Sequence, residues 1–90
     1  MPGDVLVTLP AALVALFPGC PARHVVEAET VGAAITAIDL GWPGLRDRLC
    51  DSSPSVRHHI RIFVAGERAG LDTKLSAGDE VFVLTAISGG

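Results

Sequence analysis

The residues best suited to chemistry stand at the end of the sequence, where Leu84-Thr85-Ala86-Ile87-Ser88 runs into a bare Gly89-Gly90. A glycine pair has no Cβ atoms and loses much backbone entropy when held, so packing gains nothing from one at a chain end. It does present the terminal carboxylate on a thread thin enough to enter a narrow channel and reach a catalytic centre on another protein. An α-carboxyl, with a pKa of about 3.3–3.7, is anionic at neutral pH and a poor electrophile. Chemistry at Gly90 therefore needs activation, which means converting the carboxylate to a derivative with a good leaving group. The competing reading is a frayed terminus. With ten glycines in 90 residues, a terminal pair arises by chance about once in 81, so the rest of the sequence must decide.

No rival set of reactive residues emerges. Cys20 and Cys50 form no CxxC pair, and two thiols cannot supply a four-thiolate zinc or iron–sulfur site. They read as free thiols of a reducing compartment. Adjacent His58 and His59 would point to opposite sides of a strand, so no metal site is expected there or at His24. The Gly66, Gly70 and Lys74 spacing does not make a phosphate-binding loop. No nucleophile–base pair is visible, and a stand-alone enzyme is the least favoured function. The run Arg57-His58-His59-Ile60-Arg61 is locally basic, reading first as a solvated strand entrance and otherwise as a contact for an acidic partner surface.

Composition sets the frame for these residues. The chain has 49% hydrophobic and 19% charged residues with a net charge of −3, which argues against disorder and against a general nucleic-acid binder. Aromatic content of 4% means the interior is built from Val, Leu, Ile and Ala. Val5 to Phe17 is apolar enough to suggest a secretory segment, but no Lys or Arg precedes Arg23, Asp4 occupies the expected positive region, and Pro10 and Pro18 break the run. It is also too short and interrupted to span a membrane. A cytoplasmic location is expected, with no membrane partner and a monomer when free.

The elements that would position the terminus follow from periodicity. Asp4 to Leu9 reads as a first strand, apolar on nearly every residue and so buried on both faces, ended by Pro10. Ala11 to Phe17 supplies a helical turn, and Arg23 to Glu29 an outer strand with a partly polar face. Thr30 caps the main helix, whose stripe is Val31, Ala34, Ile35 and Ile38, with Gly41 placed to end it in the left-handed conformation. Leu45 and Leu49 share one side of a short second helix. Asp51 to Ser55 is the most loop-like stretch. Ile60 to Val64 alternates cleanly, and Ala65-Gly66-Glu67 and Ala77-Gly78-Asp79 are tight turns before a last strand, Glu80 to Leu84.

Two strands, a helix and two more strands predict an α+β domain: a β-grasp, with a mixed four- to five-stranded sheet and one main helix on one face. The first and last strands should lie adjacent and parallel at its centre through a right-handed crossover. Residues 1–86 would form this domain and 87–90 a flexible diglycine tail. If Val81 and Val83 face the helix, then Phe82 and Leu84 join Phe63 on the uncovered face. That trio is the expected partner-binding patch beside the tail.

These residues carry a resemblance. Leu71 to Val81, with its Gly78-Asp79-Glu80-Val81 turn and strand, followed by Phe82 to Gly90, resembles the C-terminal signature of the MoaD/ThiS ubiquitin-like sulfur carriers. Leu9-Pro10, Pro43 to Leu49 and Ile60 to Val64 are similar to the longer bacterial members, including molybdopterin synthase small subunits and carriers that serve cysteine synthesis. The resemblance implies a carrier that is not itself an enzyme and holds no permanent cofactor. Its partners would be a ubiquitin-activating-like adenylyltransferase that uses ATP, a sulfur donor and a sulfur-accepting synthase. Gly90 would be adenylated and converted to a thiocarboxylate, with Ala86, Ile87, Ser88 and Gly89 delivering it. The sulfur could go to molybdopterin, thiamine, cysteine or another metabolite. A protein modifier joined through Gly90 and a plain interaction module are the alternatives.

Overall fold

The computed structural model describes residues 3–50 and 59–85. In chain order the elements are β1 (Asp4–Thr8), α1 (Ala11–Val14), β2 (Arg23–Glu27), α2 (Val31–Gly41), α3 (Leu45–Leu49), β3 (Ile60–Val64), β4 (Glu67–Ala69) and β5 (Glu80–Thr85). The five strands form one sheet in the order β2-β1-β5-β3-β4. β1 and β5 are parallel and central, and every other pairing is antiparallel. This is the β-grasp arrangement expected from the sequence.

Helix α2 starts because Thr30 is extended and its Oγ1 accepts the Ala33 N–H at 3.1 Å. Val31, Ala34, Ile35 and Ile38, the stripe read from the sequence, are all buried. Its end differs from expectation. Gly41 remains helical, and Trp42 is the capping residue, with φ −135° and ψ 72°. Pro43 is the physical reason, since it pushes the residue before it out of the helical region. The left-handed glycine is Gly44 instead, at φ 99°, where it opens α3. The Asp39 carboxylate pins this corner, its Oδ1 accepting N–H groups from Gly44 at 3.1 Å and Arg46 at 3.0 Å. Leu45 and Leu49 consequently point together into the core.

The expectation that β1 is buried on both faces is also corrected. Val5 and Val7 are buried, whereas Leu6 is half-buried and Asp4 exposed, so the helices cover one face of the sheet only. Every described residue of the buried core is apolar, and Val, Leu, Ile and Ala dominate it. Strand β4, three residues long, was not distinguished in the sequence from the connection that follows it. Ala65 and Gly66, at φ 54° and 81°, form the two-residue turn before it.

Candidate functional site

Strand β5 sorts its side chains by parity. Val81 and Val83 point at the helices and are fully buried, while Phe82 and Leu84 point to the open face and are 40% and 48% exposed. Burying each valine stabilises the fold by about 1.5–3 kcal/mol, so hydrophobic selection at 81 and 83 fixes the register and aims 82 and 84 outward.

The open face gathers the three residues expected to bind partners. Phe82 lies directly across from Phe63 of β3, and Leu84 across from Arg61. On its other side Phe82 is level with Thr8 of β1, which places it diagonally from Leu6. Leu6 in turn is opposite Val25 of β2, a valine 68% exposed. An apolar strip therefore crosses β2, β1, β5 and β3, with Arg61 and Arg68 on β3 and β4 beside it. Contiguous apolar surface of this kind marks interaction sites rather than scattered exposure. Sequence reasoning missed Val25, although its parity with Arg23 and Glu27 in a strand with a polar face was the available signal.

Ala86, Ile87, Ser88, Gly89 and Gly90 lie outside the described residues. Their point of departure is defined: Thr85 ends β5 opposite Ile60, in the middle of the sheet. Five residues can extend at most about 17 Å from there.

The two thiols are separate. Cys50 is buried, and Cys20 is part-exposed with its Sγ 3.5 Å from His24 Nε2. This pair is not an activated nucleophile. His24 Nε2 is also 2.8 Å from the Pro21 carbonyl oxygen, which can only accept, so that nitrogen carries the hydrogen and cannot take one from the thiol. Burial pushes the Cys20 pKa up, away from the thiolate. Among the described residues no group of three or more His, Cys, Asp and Glu is arranged to hold a metal ion. No helix among them is long and apolar enough to cross a membrane.

The profile of the ThiS family matches residues 7–90, the sheet and the diglycine together. The chain belongs to the ThiS family. It is 37% identical over 68 residues to the sulfur carrier protein CysO of Mycobacterium tuberculosis, covering 69% of this chain and 73% of that protein. It is 34% identical over 61 residues to the small archaeal modifier protein 1 of Haloferax volcanii, covering 68% of this chain and 70% of that protein. Among solved structures, that of Mycobacterium tuberculosis CysO superposes with a TM-score of 0.82 at 28% identity, over 92% of this chain and 99% of that one. Ubiquitin-like sulfur carriers are thus its structural neighbours as well as its sequence relatives.

Proposed function

We propose that this ThiS-family chain is a sulfur carrier whose reactive group is the Gly90 carboxylate. The observation that carries the reading is the diglycine itself, five residues from the end of a central strand whose neighbouring open face bears Phe82, Leu84 and Phe63. In the proposed reaction a carboxylate oxygen attacks the α-phosphorus of ATP on a ubiquitin-activating-like adenylyltransferase, and pyrophosphate leaves. A sulfide donor then attacks the carbonyl carbon, AMP departs, and Gly90 is left as a thiocarboxylate for a sulfur-accepting synthase. The carrier supplies no catalytic side chain to these steps. Ala86 to Gly89 span the distance into the partner's channel, and the apolar strip docks against the partner's surface.

Intact-mass analysis after incubation with ATP, an activating enzyme of the source organism and a sulfide donor tests the reading. Exchange of one terminal oxygen for sulfur is expected. Neither adenylate nor thiocarboxylate with any such enzyme would sink it. Deleting Gly90 should abolish activation while leaving the melting temperature unchanged. The archaeal relative's name, a modifier protein, favours a second outcome of the same activation, in which Gly90 is joined to lysines of other proteins. Covalent lysine adducts in the same mass analysis would identify it.

A further inference from the structure

Charge is distributed unevenly along β5. Where the strand begins, Glu80 and Asp79 stand near Asp4, its β2 partner Glu27, and Glu67 across the β3–β4 turn. Where it ends, the charged residues of the sheet are Arg61, opposite Leu84, and Arg23, opposite Thr8. In a chain of net charge −3, the end of the sheet from which β5 leaves is thus its cationic end. At that end, on the helix side of Thr85, lies a groove of about 190 Å³ lined by Ala12, Leu13, Leu16, Arg48, Ile60 and Thr85, with His59 at the same rim. Leu16 is 53% exposed there, and Asp47, the acidic residue of α3, does not line it.

We infer that this groove is a second docking point, for an acidic segment of the activating enzyme that inserts one aliphatic side chain against Leu13 and Leu16 and sets a carboxylate against Arg48. The inference rests on the carrier reading above. The groove is smaller than the roughly 300–1,000 Å³ of small-molecule sites, which suits a single side chain rather than a nucleotide or cofactor. Its wall of alanine and leucines under one arginine calls for an apolar group with an anion beside it. Because the open strip and the groove lie on opposite faces of β5, a partner using both grips the root of the tail from two sides and fixes the direction in which Gly90 enters.

The test is pyrophosphate release by the activating enzyme of the source organism, with ATP and the full chain. Arg48→Glu should lower kcat/KM about tenfold through KM with kcat unchanged, and Arg48→Gln by less. Wild-type kcat/KM should fall as salt rises from about 50 to 300 mM, and that of Arg48→Glu should fall less steeply. Leu16→Ser should lower kcat/KM about threefold, with circular dichroism confirming the fold, and Glu67→Lys at the acidic end should match wild type. Arg48→Glu kinetics within twofold of wild type, with the same salt slope, would overturn the inference. So would a rise in kcat/KM, which would mean that the groove holds the chain's own tail. Failure of the wild-type chain to be adenylated at all would overturn the carrier reading, and with it this partner.

Discussion

The two faces of β5 put the same residue types to opposite uses. Val81 and Val83 are buried to 0% and 1% exposure under the helices, while Phe82 and Leu84 on the alternate positions keep nearly half of their surface in water. An apolar side chain that stayed exposed for no purpose would gain from being covered. The helix face contributes stability, and the open face retains exposed apolar surface. In a strand five residues from Gly90, the residues that build the core and those proposed to meet a partner are therefore one residue apart.

Substitution on the two faces should separate them most sharply. Val83→Asp places a carboxylate in a core with no described polar group to receive it, a change costing more than about 4 kcal/mol. A domain of this size has on the order of 5–13 kcal/mol in total, so the variant should lose most of its cooperative transition in a thermal melt followed by circular dichroism. Leu84→Asp and Phe82→Asp should each cost less than about 1 kcal/mol in the same melt, yet weaken partner binding about tenfold by calorimetry. A collapse of Leu84→Asp comparable to Val83→Asp would mean that the faces are not distinct. Next in size is Leu49→Ala beneath α3, where a fully buried leucine is truncated. Its loss should lower stability by about 2–5 kcal/mol in urea denaturation while leaving the apolar strip of the open face unchanged.

That comparison also shows what was legible in the sequence. Alternation in Ile60 to Val64 and the 3.6-residue stripe from Val31 to Ile38 are periodic signals, and periodicity reports which side of an element is buried. With the apolar runs of the first and last strands, which put that parallel pair at the sheet's centre, they were sufficient to place Phe63, Phe82 and Leu84 together. Signals that depend on a neighbour were harder to read. The nearly unbroken apolar run of β1 suggested burial on both faces, but Leu6 is apolar because it belongs to the open strip. Gly41 looked like a helix stop, whereas the two-residue influence of Pro43 carried the left-handed turn to Gly44. The groove between α1, α3 and the sheet is made of residues distant in sequence, so no local pattern announces Arg48.

A smaller effect is expected at the corner that aims α3. Asp39 Oδ1 accepts the N–H groups of both Gly44 and Arg46, and Asp39→Ala removes that shared acceptor. A loss of about 1–2 kcal/mol in urea denaturation is expected, the scale of a helix cap, with Asp39→Asn recovering part of it. Because α3 carries Arg48 to the groove rim, kcat/KM for adenylation should fall along with stability. A stability loss with unchanged kcat/KM would show that the corner stabilises α3 without positioning Arg48.

The smallest expected effect contrasts the two cysteines. Burial raises the Cys20 pKa in the folded chain, and His24 Nε2, already donating to the Pro21 carbonyl, cannot draw the proton off. The folded state thus holds the Cys20 proton more tightly than the unfolded state, whose thiol keeps its ordinary pKa. The associated stabilisation is full below that ordinary pKa and declines as pH rises through the folded pKa. Since Cys20 is part-exposed, the decline should be slight. At about pH 8.5 iodoacetamide should label Cys20 more slowly in the native protein than in urea, because alkylation requires the thiolate. Native Cys50, buried at 5% exposure, should not label until the domain unfolds. Labelling of native Cys20 faster than in urea would reverse the sign and reopen Cys20 and His24 as a reactive pair.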